Sequence, residues 1–312
     1  MKVTTSASQA RCCIVVANDE RSERLTDGLH QSPLNSQQAA IVKMGFLRQA
    51  SLRARRIVSP ANVLVSAREE DRSVWVGPLW FTQPTNRFIS DRGVPTSLST
   101  AAAVLSVAVR SPSCLVTILP SDFWVARESV LSDGIEKALT SLQQIPGTVA
   151  TLGMSDTYPG SDEDYLIVGP ASSEMGAAIQ AKANRPGPSV AKQLSKEGAL
   201  VASGILLGHA QAFAARIYKY WPHLARELTR TAGSDRSPEA EHRLSADAYQ
   251  SISRSVISSM RLSPPTFPMR AFRIQGSGWC SRQRLNDLRS APAFNVRAGS
   301  YGWFAGRNTS EI

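Results

Sequence analysis

The chain has 312 residues, 42% of them hydrophobic and 19% charged, which suits a folded domain with a real core and excludes a disordered chain. The formal net charge is +10, a balance that favours phosphate-bearing ligands, nucleic acid or an anionic membrane surface, or that reflects an arginine-rich solvated face. No stretch approaches the ~20 apolar residues of a membrane span, and the apolar run Cys12 to Ala17 is too short for a signal-peptide core, so a cytoplasmic location is expected.

After a polar tail over residues 1–10, Cys12 to Ala17 (CCIVVA) reads as a short buried strand, followed by a polar loop to Gln38. Ile41, Phe46, Leu47, Ala50, Ala54 and Ile57 recur at helical spacing, predicting a helix over 39–57 that Pro60 stops. Val63 to Val65 is a second strand, so the chain opens as a βαβ unit of a parallel sheet. Val74 to Thr82 is predicted as another strand, ended by Pro84. Ser97 to Val109 reads as a buried helix of small apolar residues, and Leu115 to Leu119 as a central parallel strand before Pro120. Glu128 to Leu142 is helical, Thr148 to Leu152 is a strand, and a Gly/Ser/Asp-rich loop over 153–164 leads to a short strand from Tyr165 to Val168. Residues 170–188 show little periodicity and read as a loop or weak edge strand. Val190 to Leu194 begins a helix, Leu200 to Leu207 is a strand, and Ala210 to Arg230 is a helix with Pro222 placed to kink it. A polar excursion over 231–245 precedes a helix from Ala248 to Met260, a proline-broken stretch, and a last strand from Met269 to Ile274; the tail over 291–312 is weakly organised. This alternation predicts a doubly wound, three-layer α/β domain over residues 11–290. In such sheets ligands sit beyond the carboxyl ends of the strands, which singles out the loops after Ala17, Thr82, Leu119 and Ile274.

Chemistry is concentrated in few places. Cys12, Cys13, Cys114 and Cys280 lack C-x-x-C spacing and read as buried free thiols, and the four histidines show no metal-ligand spacing. Gly276-Ser277-Gly278 is a lone G-x-G, not a dinucleotide fingerprint. Arg53-Ala54-Arg55-Arg56 fits a helix end, where cations complement the dipole, better than a nucleic-acid contact. The strongest signal is Leu119-Pro120-Ser121-Asp122. An apolar strand ends, turns at proline and presents a carboxylate where Mg²⁺ can be held between an aspartate and a nucleotide's phosphates. The same Asp122 can instead cap a helix beginning after Trp124.

In this light the chain resembles the sugar-1-phosphate nucleotidyltransferases, most of all the mannose-1-phosphate guanylyltransferases. L-P-S-D after an apolar strand is that family's metal-carboxylate motif, and Gln83-Pro84-Thr85-Asn86-Arg87 resembles its Q-P-x-N-R segment beside the nucleotide. Pro95 to Val109 matches its small-residue helix if Phe88 to Val94 is an insertion. Gly198 to Ser203 resembles its G-A-L-W-N-S strand, Ile252 to Val256 its F-S-R-D-V segment, and Gly276 to Trp279 part of its S-G-W-S-D. The resemblance implies a three-layer α/β/α Rossmann-like fold of the glycosyltransferase-A kind, with a mostly parallel central sheet. It implies Mg²⁺ as cofactor, and a nucleotide and a sugar phosphate such as mannose-1-phosphate as partners. A membrane or nucleic-acid partner is not expected, and a homo-oligomer is left open. Carried over residue by residue, Arg24 and Asp122 are catalytic, with Asp122 the metal ligand; Ala17, Asn18, Gln83, Asn86, Arg87 and Ser121 line the nucleotide; Arg185 and Ser203 hold the sugar phosphate.

The departures fall on the chemistry. The family's glycine-rich first loop lets backbone N–H groups approach a triphosphate closely, yet this chain reads Ala17-Asn18-Asp19-Glu20-Arg21-Ser22-Glu23-Arg24-Leu25. The P-K-Q lysine is absent at Ser36-Gln37-Gln38, G-Y-G becomes Asp162-Glu163-Asp164, E-K-P becomes Asn184-Arg185-Pro186, the asparagine of W-N-S is Ala202, and the second metal aspartate is Ser281. Two readings follow: a transferase of weak activity, or a non-catalytic relative that binds a nucleotide or a protein partner.

Overall fold

The computed structural model describes residues 10–17, 36–155, 163–172, 174–232, 240–244 and 269–281. The expected helix from Ala248 to Met260, the tail over 291–312 and the site candidates Asn18 and Arg24 lie outside the described residues. In chain order the elements are β1 (Arg11–Val16), α1 (Ser36–Ile57), β2 (Val63–Arg68), α2 (Arg72–Trp75), β3 (Arg87–Ser90), α3 (Thr96–Arg110), β4 (Leu115–Pro120), β5 (Phe123–Val125) and α4 (Glu128–Leu142). There follow β6 (Val149–Met154), β7 (Tyr165–Ser172), β8 (Gly176–Ala183), α5 (Pro188–Lys196), β9 (Leu200–His209), α6 (Ala210–Tyr220), α7 (Pro222–Ala232), β10 (His242–Leu244), β11 (Met269–Ile274) and β12 (Trp279–Ser281).

Strand alternation builds the three layers. Along β1, Cys13 and Val15 face a core shared with Leu47, Ala50 and Ala54 of α1 and Leu131, Ile135 and Leu139 of α4. Cys12 and Ile14 face the opposite core, built from α3, from Phe213 and Ile217 of α6 and from Leu224 and Leu228 of α7. A sheet hydrophobic on both faces must be covered on both, and the helices divide between them accordingly. The main sheet runs β10-β3-β2-β1-β4-β9-β6-β11-β8-β7, and β12 pairs separately with β5. From β10 to β4 every pairing is parallel. β9 then runs antiparallel to both β4 and β6, β6 and β11 are parallel, and β8 is antiparallel to both its neighbours. The sheet is therefore mixed, parallel in one half and largely antiparallel in the other.

Three local expectations change. The segment Val74 to Thr82 is not a strand. Val74, Trp75 and Leu79 are buried together on a helical turn, Leu79 N–H donates to Trp75 O at 3.1 Å, and the Trp75 indole donates to Arg68 O at 3.0 Å. The strand lies instead at Arg87–Ser90, from the last residue of the matched Gln83–Arg87 segment into the expected insertion at Phe88 to Val94. Residues 176–183 form an inner strand rather than a loop or an edge, held by β7 on one side and β11 on the other. Pro222 does not kink one helix but separates two, ending α6 at Tyr220 and opening α7, where its missing N–H is harmless. No helix among the described residues is long and apolar enough to cross a membrane.

Candidate functional site

Strand register sets the level of each side chain. Val16 pairs with Ser66 and with Pro120, and Ser66 pairs with Phe88. One step further along, Ala17 and Ser121 leave the sheet side by side at its carboxyl edge. The Ser121 hydroxyl donates to Ala17 O at 3.1 Å, and Ala17 N–H donates to Ser66 O at 2.8 Å, so the ends of β1, β2 and β4 are tied together. Asp122 is the next residue, half-buried at the turn into β5. It does not cap a helix, because β5 intervenes and α4 begins only at Glu128.

A second turn closes on the same place. β11 ends at Ile274, whose carbonyl accepts from Ser155 N–H at 3.0 Å, and Gly276-Ser277-Gly278 then reverses the chain into β12. Gly276 and Gly278 both have positive φ, +81° and +64°. The Ser277 carbonyl accepts from Ala126 N–H at 3.1 Å and from Arg127 N–H at 2.9 Å. β12 pairs antiparallel with β5 so that Ser281 lies opposite Phe123, one residue from Asp122. Thus the two segments expected to flank a metal do converge. The Ser281 hydroxyl donates a short hydrogen bond to the Glu163 carboxylate, which is only 6% exposed, while the neighbouring Asp164 pairs with Lys182 at 2.9 Å. Glu163 was visible in the sequence only as part of a substituted G-Y-G turn; its approach to Ser281 is a tertiary fact.

The remaining candidates are taken up by contacts within the fold or lie exposed. Asn86 Nδ2 donates at 2.9 Å to the carbonyl of Ala61, which precedes β2, so the segment Gln83 to Asn86 lies toward the amino end of the strands, away from Asp122. Gln83 is exposed. Arg87 is engaged by Thr82 O at 2.7 Å and Glu241 at 3.3 Å, and its guanidinium lies 6.0 Å from the centre of the Trp75 ring. Burial pushes the Glu241 carboxyl up, but hydrogen bonds and charge from Arg72 and Arg87 outweigh it and leave the group below its usual range. Ser203 is buried in β9, where its hydroxyl donates to Leu152 O at 2.8 Å and accepts from Ile205 N–H at 3.1 Å. It braces the sheet at an irregularity between β6 and β9. Arg185 is exposed at the turn between β8 and α5, with a positive φ of 42°.

Asp122 on the turn into β5, and the Ser281–Glu163 pair at the end of β12, carry oxygen donors only, the kind that Mg²⁺ prefers. No group of three or more His, Cys, Asp or Glu side chains with metal-binding geometry occurs among the described residues. A cation here would take its remaining ligands from water and phosphate, which is how Mg²⁺ usually binds. The four cysteines are free and buried, as expected, and add nothing to the site.

No protein-family model matches the chain, and no curated protein sequence matches it. Solved structures do. A mannose-1-phosphate geranyltransferase from Thermus thermophilus aligns with a TM-score of 0.65 at 16% identity, covering 92% of this chain and 79% of that one. A mannose-6-phosphate isomerase from Helicobacter pylori aligns with a TM-score of 0.58 at 17% identity, covering 87% of this chain and 100% of that one. At such identity the likeness establishes architecture, and the chain has the three-layer α/β fold of these two proteins, with Asp122 at the carboxyl edge of its central strand.

Proposed function

We propose that this protein is a nucleotidyltransferase that moves a nucleotidyl group, of the GMP type, from a nucleoside triphosphate to a sugar-1-phosphate such as mannose-1-phosphate. The observation that carries the reading is the convergence of Ala17, Ser121, Asp122, Glu163 and Ser281 at one edge of a sheet whose solved neighbours are named for mannose phosphates. In the reaction a phosphate oxygen of the sugar phosphate attacks the nucleotide's α-phosphorus, the bond to the bridging oxygen of the β-phosphate breaks, and pyrophosphate leaves. Asp122, aided by Glu163, would hold Mg²⁺, which when bound neutralises charge on the phosphates. The Ser121–Ala17 bond holds the residue before Asp122 against the end of β1, and Arg24 is proposed to stabilise the leaving group. Arg185, unburied and on a turn, is proposed to meet the sugar phosphate. The neighbours' names favour a hexose phosphate as acceptor.

The test is pyrophosphate release from GTP, Mg²⁺ and mannose-1-phosphate, with UTP, CTP and glucose-1-phosphate as alternatives. Release is expected, and Asp122→Ala should reduce it by about 10²–10³-fold. A second reading, a non-catalytic relative that binds a nucleotide, is favoured by one set of observations. Ser203 is engaged inside the sheet and Arg87 by Glu241, so two polar residues of the matched segments serve the scaffold. Absence of release for every pair, with a thermal shift on adding GTP, would select that reading.

A further inference from the structure

A part-buried ion pair between α1 and α4 touches Phe123, the residue after Asp122. Arg53, whose side chain is 2% exposed, forks onto Glu128, the first residue of α4: Nε lies 2.9 Å from Oε2 and Nη2 2.6 Å from Oε1. Its guanidinium stacks over the Phe123 ring at 4.5 Å from the centroid, and Nη1 donates to Phe123 O at 3.4 Å. Phe123 follows Asp122 without an intervening residue. Its ring also packs on Trp279 of β12, 6.2 Å between centroids. One side chain therefore joins α1, α4 and β5, and grips both the ring and the carbonyl of the residue beside the carboxylate. On the other side Ser121, the residue before Asp122, is bonded to Ala17 O. The turn at 122 is clamped at both ends.

Stability alone does not call for this arrangement. Isolated buried ion pairs are often no better than well-packed apolar residues of similar size, because desolvation offsets attraction. A planar, bidentate and stacking cation is what a fixed geometry requires, and lysine would satisfy only the charge. We propose that Arg53 is a positioning residue, setting the Asp122 carboxylate through Phe123, with Glu128 as its anchor. The inference rests on Asp122 being the working carboxylate of the proposed transferase, and its test separates the two ideas.

The test compares Arg53→Met/Glu128→Leu, which replaces the pair with apolar residues of similar volume, and Arg53→Lys, with wild type. The measurements are melting temperature, kcat and KM for pyrophosphate release, and hydrogen exchange of the peptide spanning 120–126. Expected is a melting temperature close to wild type, an unchanged KM for the sugar phosphate, and a kcat lower by about 10²-fold, the scale of a misplacement of one ångström. Arg53→Lys should keep the stability without recovering kcat. A wild-type kcat in the folded double variant overturns the proposal. If the double variant does not fold, Arg53→Lys decides on the same criterion. If wild type releases no pyrophosphate, the transferase reading falls, and hydrogen exchange decides here: protection lost over 120–126 and kept in β6 supports the clamp, and unchanged protection overturns it.

Discussion

Replacing Gly278 with alanine tests whether the turn before β12 is as constrained as its geometry implies. Gly278 sits at φ +64°, and a Cβ built there would lie 2.7 Å from the Cβ of Ala126. Left-handed backbone costs a non-glycine residue about 1–2 kcal/mol. The overlap cannot be relieved by a side-chain rotation, since Ala126 has none to make and its own N–H is bound to Ser277 O at 3.1 Å and Gly278 O at 3.3 Å. Overpacking of that kind adds about 1–3 kcal/mol. Alanine lowers the freedom of the unfolded chain, which returns about 0.4–1 kcal/mol. The net expectation is a loss of about 1–4.5 kcal/mol, a large share of the ~5–15 kcal/mol typical of a domain. Urea unfolding followed by circular dichroism measures it, with Gly45→Ala as internal control. Gly45 lies inside α1 with nothing within 4 Å of a built Cβ, so that change should stabilise by up to about 1 kcal/mol. A Gly278→Ala loss below about 0.5 kcal/mol would refute the steric reasoning and with it the claim that this turn fixes β12 against β5.

Two further outcomes follow from buried polar groups. Burial holds the imidazole of His209 below its usual pKa, so the unfolded chain binds the extra proton first as pH falls. The contribution of His209 is therefore fully present above about pH 6.5 and declines below it, at most about 1.4 kcal/mol per pH unit; His209→Gln should flatten the difference in urea midpoint between pH 7.5 and 5.5, and an unchanged slope would exclude His209 as its source. Ser203→Ala removes both the donor to Leu152 O and the acceptor for Ile205 N–H, and should cost about 1–3 kcal/mol in the same assay, whereas a neutral result would mean water replaces both bonds.

What the sequence made legible were the elements whose burial is continuous or strictly periodic. Cys12 to Ala17 and Leu115 to Leu119 are largely apolar runs, and Met269 to Ile274 alternates apolar residues with Arg270 and Arg273; each is a strand within a residue or two. Glu128–Leu142 shows its buried face at Leu131, Ile135, Ala138, Leu139 and Leu142, and is a helix over that range. Val74 to Thr82 misled because Val, Trp and Phe favour strands in general, while here a buried Trp75 with its indole bound to Arg68 O makes a helical turn the better solution. β8 was obscured for the opposite reason: its alanines and its Gln and Lys carry no strong pattern, and pairing on both sides defines it.

The site was legible only where local sequence fixes level within the sheet. An apolar strand that ends in proline and serine leaves Asp122 nowhere but at the carboxyl edge, and the register confirms that place. Gln83 to Arg87 carries a matching string of residues, yet β3 begins at Arg87, level with Val65 and Leu119, and the string before it runs back toward Ala61, which precedes β2. A string of letters contains no level; strand direction supplies it. The same reasoning separates chemistry from scaffold among the polar residues. Ser203 and Asn86 hold backbone carbonyls inside the fold, and Arg87 holds Glu241. Asp122 follows the last strand residues and is gripped through its neighbours, Ser121 on one side and Phe123 on the other. Asp122 thus stands where the parallel strands β1, β2 and β4 end together, the edge at which sheets of this kind take their ligands.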